Sequence, residues 1–207
     1  VHTDAVQAIG HIKINVKDLG IDMMSASAHK FNGPKGVGFF YVRHGCIIDP
    51  LIYGGGQENN FRSGTENVAA IYSMAKALEE NVNTIDEYQS YVKSLEQKFF
   101  TLLDMNDIKY CLNSNEKNRA TGIINISIKN IDGEGLLNML DMQDIYISVG
   151  SACNSESKEP SYVLKAMMLD EERINSSVRI SIGKYNTEDD IEKIISYLKK
   201  IYRIMQA

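Results

Sequence analysis

The sequence predicts an α/β fold, on three observations. Short apolar runs rich in β-branched and aromatic residues alternate with amphipathic stretches along most of the 207 residues. Strict two-residue alternation marks Ile124, Ile126, Ile128 and Val178, Ile180, Ile182 as strand faces. Apolar residues at steps of three and four mark helices that begin near Ile85 and Ile191.

Residues 1–9 mix Val, Ala and Ile, with Asp4 at a strand end, until Gly10 breaks the run. Lys30 follows an apolar run and precedes the turn Gly33-Pro-Lys-Gly36, which lacks the pattern of a phosphate loop. Val37 to Val42 reads as a buried strand. A polar loop runs from Gly54 to Gly64. Glu66 to Asn81 has helical composition, with Val68, Ile71, Ala75 and Leu78 on one face. Thr84-Ile-Asp-Glu87 has the form of a capping box, and the helix behind it turns Ile85, Tyr88, Val92, Leu95, Phe99 and Leu102 inward.

Residues 108–112 read as a strand that carries Cys111 into the core. After the isoleucine strand come a short helix (Gly135 to Met142), a strand (Ile145 to Val149) and a helix from Pro160 to Met168, with proline near its start. Arg179 points away from the apolar face of its strand. Thr187 caps a last helix with Ile191, Ile194, Ile195, Leu198 and Ile201 inward. The expected domains are 1–81 and 82–207, without internal repeats.

A net charge of −5 argues against non-specific nucleic-acid binding. No run reaches the ~18 apolar residues of a membrane helix. Val1 opens into His2-Thr-Asp without the basic and apolar regions of a signal peptide. The chain begins as though in mid-strand. Three cysteines without close pairs or zinc-ligand spacing fit a reducing compartment, so a cytoplasmic protein without a metal site is expected.

The residues that carry chemistry match the needs of a pyridoxal phosphate (PLP) enzyme: an amine for the cofactor aldehyde, a carboxylate for the pyridine nitrogen, donors for the phosphate and a cation for the substrate carboxylate. Lys30, Asp4, Ser27 with His29, and Arg179 are the respective candidates. Each alone has an ordinary reading: a solvated lysine, a turn aspartate, a loop histidine, an arginine on a wet strand face. Gln7 alone is a surface amide. Cys153, in the small and polar run Gly150-Ser-Ala-Cys-Asn-Ser-Glu-Ser-Lys-Glu159, is a candidate exposed nucleophile. Cys46 follows His44-Gly45 in a turn.

These segments stand in a known order. His2-Thr-Asp-Ala-Val-Gln7, Ser25-Ala-Ser-Ala-His-Lys30, Gly33-Pro-Lys-Gly36, Gly54-Gly-Gly-Gln-Glu58, Arg62-Ser-Gly-Thr-Glu-Asn67, Gly150-Ser-Ala-Cys153, Glu159-Pro-Ser-Tyr162 and Arg179-Ile-Ser-Ile-Gly183 span nearly the whole chain. On them the chain resembles the cysteine desulfurases of the class V aminotransferase group, of the form with an extended cysteine loop. The resemblance implies the end of the large PLP-binding domain and the small α+β C-terminal domain of a type I PLP-dependent transferase. It implies that Lys30 forms the Schiff base and moves the substrate α-proton. Asp4 would pair with the pyridine nitrogen, Gln7 with the ring oxygen, and Ser27 and His29 with the phosphate. Thr65 would reach the phosphate across a homodimer interface, and Arg179 would clamp the carboxylate of L-cysteine. Cys153 would take the sulfur as a persulfide, leave L-alanine, and pass the sulfur to an iron–sulfur scaffold or a tRNA-thiolation protein.

Family members are about twice this length, so the resemblance implies a C-terminal half with part of its pocket missing and weak activity alone. The alternatives are another class V enzyme, such as an aminotransferase or a cysteine lyase, and a non-catalytic module for dimerisation or acceptor docking.

Overall fold

A computed structural model describes residues 1–115, 118–150 and 161–206. Its contacts divide the chain into Val1–Glu87 and Tyr88–Ala207, with the boundary in the first turn of a helix. That is a few residues beyond the junction expected near 82.

The first unit is built on a three-stranded sheet of order β1-β2-β3: β1 (His2–Asp4), β2 (Met23–Ser27) and β3 (Gly38–Val42). β1 and β2 are parallel, with Asp4 opposite Ser25. β3 returns antiparallel, with Gly38 opposite Ser27. Alternation along β2 sends Met24 and Ala26 into the core and turns Ser25 and Ser27 to the other face. Ala5, Ile9, Ile21, Ala28, Phe31 and Met74 complete that core.

Helix α1 (Val68–Asn83) keeps only Leu78 of the expected inward face and is rotated so that other residues lead. Met74 and Asn81 are buried and Ala77 and Leu78 join the core, whereas Val68 is 69% exposed and Ile71 and Ala75 lie outside. The small Ala77 permits close approach. Asn81 fixes the rotation by donating to the Phe31 carbonyl, a constraint that hydropathy does not register. Thr84 does not open a capping box. Its hydroxyl donates back to the Glu80 carbonyl and closes α1.

Helix α2 (Ile85–Met105) leads into the second unit. There β4 (Tyr110–Leu112), β5 (Ile123–Ile128) and β6 (Ser177–Ser181) form an antiparallel sheet with β5 in the centre. Ile124, Ile126 and Ile128 are wholly buried, as the alternation requires. They meet Val92, Leu95 and Phe99 of α2 in one core. Leu103, not Leu102, completes the deep face of α2.

Short helices α3 (Gly133–Asp141), α4 (Tyr162–Ala166) and α5 (Glu171–Asn175) separate β5 from β6, and α6 (Glu188–Gln206) ends the chain with all five expected residues buried. Thr187 and Asp190 cap α6 reciprocally, each accepting the other's backbone N–H. Residues 145–149 form no full strand; one bridge joins Ser148 to Arg179. Cys111 is exposed, because three-residue β4 is an edge strand with one open face.

A buried ion pair clips residues 119–122 to α2. Arg119 meets both carboxylate oxygens of Glu96, at 2.7 and 2.9 Å, and the Gly122 N–H donates to the same carboxylate. Gly122 has φ +86°, and a Cβ there would lie 2.3 Å from the Ile182 carbonyl oxygen. Among the described residues, no helix is long and apolar enough to cross a membrane.

Candidate functional site

Because β1 and β2 run parallel, Asp4 and Ser27 lie at the same carboxyl edge of the sheet. This is the edge at which open α/β sheets receive ligands. Antiparallel β3 starts at that edge with Gly38. Asp4 also shares the face that carries Ser25 and Ser27, since residues opposite one another in register project to one side.

Asp4 is held by its own turn. The Val6 N–H donates to Oδ1 at 2.9 Å, and the Ala5 N–H continues the pairing to the Ser25 carbonyl. Among the described residues, Oδ2 has no partner, so it can receive a further donor. Gln7 is exposed in the turn that follows. On the same face His2 Nε2 lies 2.8 Å from Ser25 Oγ, and its ring is tilted against Phe40 at 5.7 Å.

Ser27 precedes a four-residue 3₁₀ turn, Ala28–Phe31, which closes with Asn32 in the left-handed region. Ala28 and Phe31 are fully buried and anchor the turn, which leaves His29 exposed and Lys30 half-buried. A groove bordered by Ser27, His29, Lys35, Gly36, Val37 and Gly38 lies beside it. Sequence reasoning missed two residues that hold this turn. His11 Nε2 lies 2.9 Å from the Lys30 carbonyl oxygen, and Asn81 Nδ2 donates to the Phe31 carbonyl at 2.8 Å. A polar residue on the buried face of α1 is the only signal that could have indicated Asn81.

Thr65 is exposed on the loop that leads into α1. That loop is tied by Ser63 Oγ to the Gly55 carbonyl and by the Gly64 N–H to the Gln57 side chain. Arg179 belongs to the second unit. Its backbone exchanges two hydrogen bonds with Ser148, and its Nη2 reaches Ser148 Oγ at 3.4 Å. Its Nε is buried with no partner among the described residues. A buried guanidinium N–H without an acceptor is costly, and a carboxylate would satisfy it. Cys153 lies outside the described residues.

A family model described as aminotransferase class-V matches residues 1–194. The chain belongs to the class V aminotransferase family. It is 44% identical over 200 residues to a protein of Dictyoglomus turgidum named cysteine desulfurase IscS, covering 97% of this chain and 51% of that one. A solved structure titled NifS-like protein superposes with a TM-score of 0.88 at 36% identity, over 98% of this chain and 52% of that chain. Another, titled SspA in complex with cysteine, gives 0.68 at 32% identity, over 90% and 51%. The chain spans about half the length of the curated relatives it matches.

Membership of this family implies pyridoxal phosphate as the cofactor, and the donor set of the first unit fits it. Lys30 supplies an amine, Asp4 an open carboxylate oxygen, and the groove a hydroxyl, an imidazole and the Lys35 ammonium around two glycines that add no bulk.

Proposed function

We propose that this chain carries the amine, carboxylate and thiol of a pyridoxal-phosphate-dependent cysteine desulfurase, acting on L-cysteine in a reducing, cytoplasmic setting. The observation that carries the reading is the common edge: Asp4 and Ser27 end two parallel strands, the turn that carries Lys30 follows Ser27 directly, and Ser27 borders an open groove. The names of relatives at 44% identity support the choice of reaction.

When bound, pyridoxal phosphate supplies the electron sink. Asp4 would hold the proton on the ring nitrogen, and Gln7 would bond the ring oxygen. Ser27 and His29 would grip the phosphate, with Thr65 contributed across a homodimer. Arg179 receives the L-cysteine carboxylate on its unpaired guanidinium edge. The Lys30 amine moves the proton at the substrate α-carbon. The Cys153 thiolate attacks the substrate sulfur; an S–S bond forms as the C–S bond breaks, the bonding pair stays with the β-carbon, and protonation there gives L-alanine and a Cys153 persulfide. The persulfide then passes its sulfur to an acceptor protein, an iron–sulfur scaffold or a tRNA-thiolation protein.

Borohydride reduction of the chain with pyridoxal phosphate, followed by mass spectrometry, should place the label on Lys30, and Lys30→Ala should abolish it. Labelling elsewhere with Lys30 untouched overturns the assignment. Cys153→Ala should keep the label and lose sulfur release from L-cysteine. Undiminished release would point to a cysteine lyase instead.

A further inference from the structure

A single 3₁₀ turn leaves its last carbonyls without partners inside the turn. In Ala28–Phe31 the first carbonyl is satisfied locally: Ala28 accepts from the Asn32 and Gly33 N–H groups. The last two carbonyls, of Lys30 and Phe31, are each met by a side chain from outside the turn. A carbonyl oxygen only accepts, so His11 Nε2 carries the proton in its bond to Lys30. Asn81, 6% exposed, spends its amide on Phe31 and on Ala77, at 2.8 and 2.7 Å.

Between these two donors Phe31 is wedged without exposure. Gly10, at φ +78°, passes so close that an added Cβ would lie 2.8 Å from Phe31 Cβ and 3.5 Å from Asn81 Cβ. A buried amide is costly unless bonded, and an apolar side chain would fill this position more cheaply. The two bonds instead fix successive peptides of the turn: His11 holds the one that follows Lys30, and Asn81 holds the next.

We infer that His11 and Asn81 are positioning residues that clamp the Lys30 turn, so that the amine reaches a carbonyl ligand from a fixed base. The inference rests on the role proposed for Lys30. The gain is one of orientation: a fixed base reduces the set of positions that Nζ must search. The stretch that contributes His11 begins at Asp4, whose carboxylate is held by the Val6 N–H of the same stretch.

The test uses two readouts on the 207-residue chain. After borohydride trapping with pyridoxal phosphate, mass spectrometry measures label at Lys30 relative to Lys35, which lies beyond the turn. Without ligand, hydrogen exchange is measured at the Gly33 N–H, which closes the turn on Ala28. His11→Ala should lower the Lys30-to-Lys35 ratio and accelerate Gly33 exchange, each about fivefold for the loss of one hydrogen bond. His11→Gln, whose amide can donate at similar reach, should restore both. Asn81→Ala should act in the same direction.

A purely structural role would lower thermal stability, leave the lysine ratio unchanged and show no rescue by glutamine; that result overturns the clamp. If the unmodified chain places no label on Lys30, the cofactor reading fails. Gly33 exchange then decides the clamp alone: faster exchange in His11→Ala supports it, and unchanged exchange sinks it.

Discussion

At the scale of single residues, two charged groups have consequences open to measurement. The Thr187 N–H donates to the Asp190 carboxylate and, with Asn186 and Lys193 adding to it against some loss of solvation, holds it below the usual carboxylate range. A lowered folded value means that the stabilisation is present above the unfolded value and is lost as pH falls through the folded one. Asp190→Asn should therefore be less stable than the parent near neutral pH, with the gap closing below about pH 4. Urea midpoints across pH 3–7 read this directly, and a pH-independent gap would contradict it. Glu96 presents the buried case: at 5% exposure its partner is Arg119. Arg119→Ala strands that carboxylate and should cost about 3–5 kcal/mol in chemical denaturation. A loss under 1 kcal/mol would mean that the Gly122 N–H and water suffice.

At the scale of elements, the observed face of α1 makes a sharp comparison. Met74→Ala should destabilise by about 2 kcal/mol or more, while Val68→Ala should stay within about 0.5 kcal/mol. Equal effects would restore the face expected from hydropathy. That expectation failed because Asn81 sets the rotation of the helix, whereas α6 and β5 have unbroken periodicity and a single large core, which made them legible. β2 was less so: Met-Met-Ser-Ala-Ser has little of the β-branched content that marks a strand. Five-residue α5 is too short to show a period. In the site, the Lys30 turn and Asp4 stood out by residue type and flanking punctuation. His11 and Asn81 did not, because donors to a backbone carbonyl 19 and 50 residues away leave no spacing to read.

At the scale of the whole molecule, each unit has its own core; Asp4, Ser27 and Lys30 belong to the first and Arg179 to the second. The face of the first sheet that carries Asp4, Ser25 and Ser27 is open: Phe40 on it is 50% exposed and His2 is exposed. With a chain half the length of its relatives, we expect the 207 residues alone to hold pyridoxal phosphate weakly. Extensive dialysis should leave well under one equivalent by absorbance, and a stoichiometric complex with full turnover would overturn this. The turn between Asp4 and His11 has a consequence for protein engineering. Its two ends are pinned, one by pairing with β2 and the other by the Lys30 carbonyl, and Gly10 leaves no space for slack. The stretch acts as a spacer of fixed length. One residue inserted after Gln7 would put the carboxylate and the lysine turn out of register, whereas an exposed segment such as that around Ile47 offers a splice point remote from this measure.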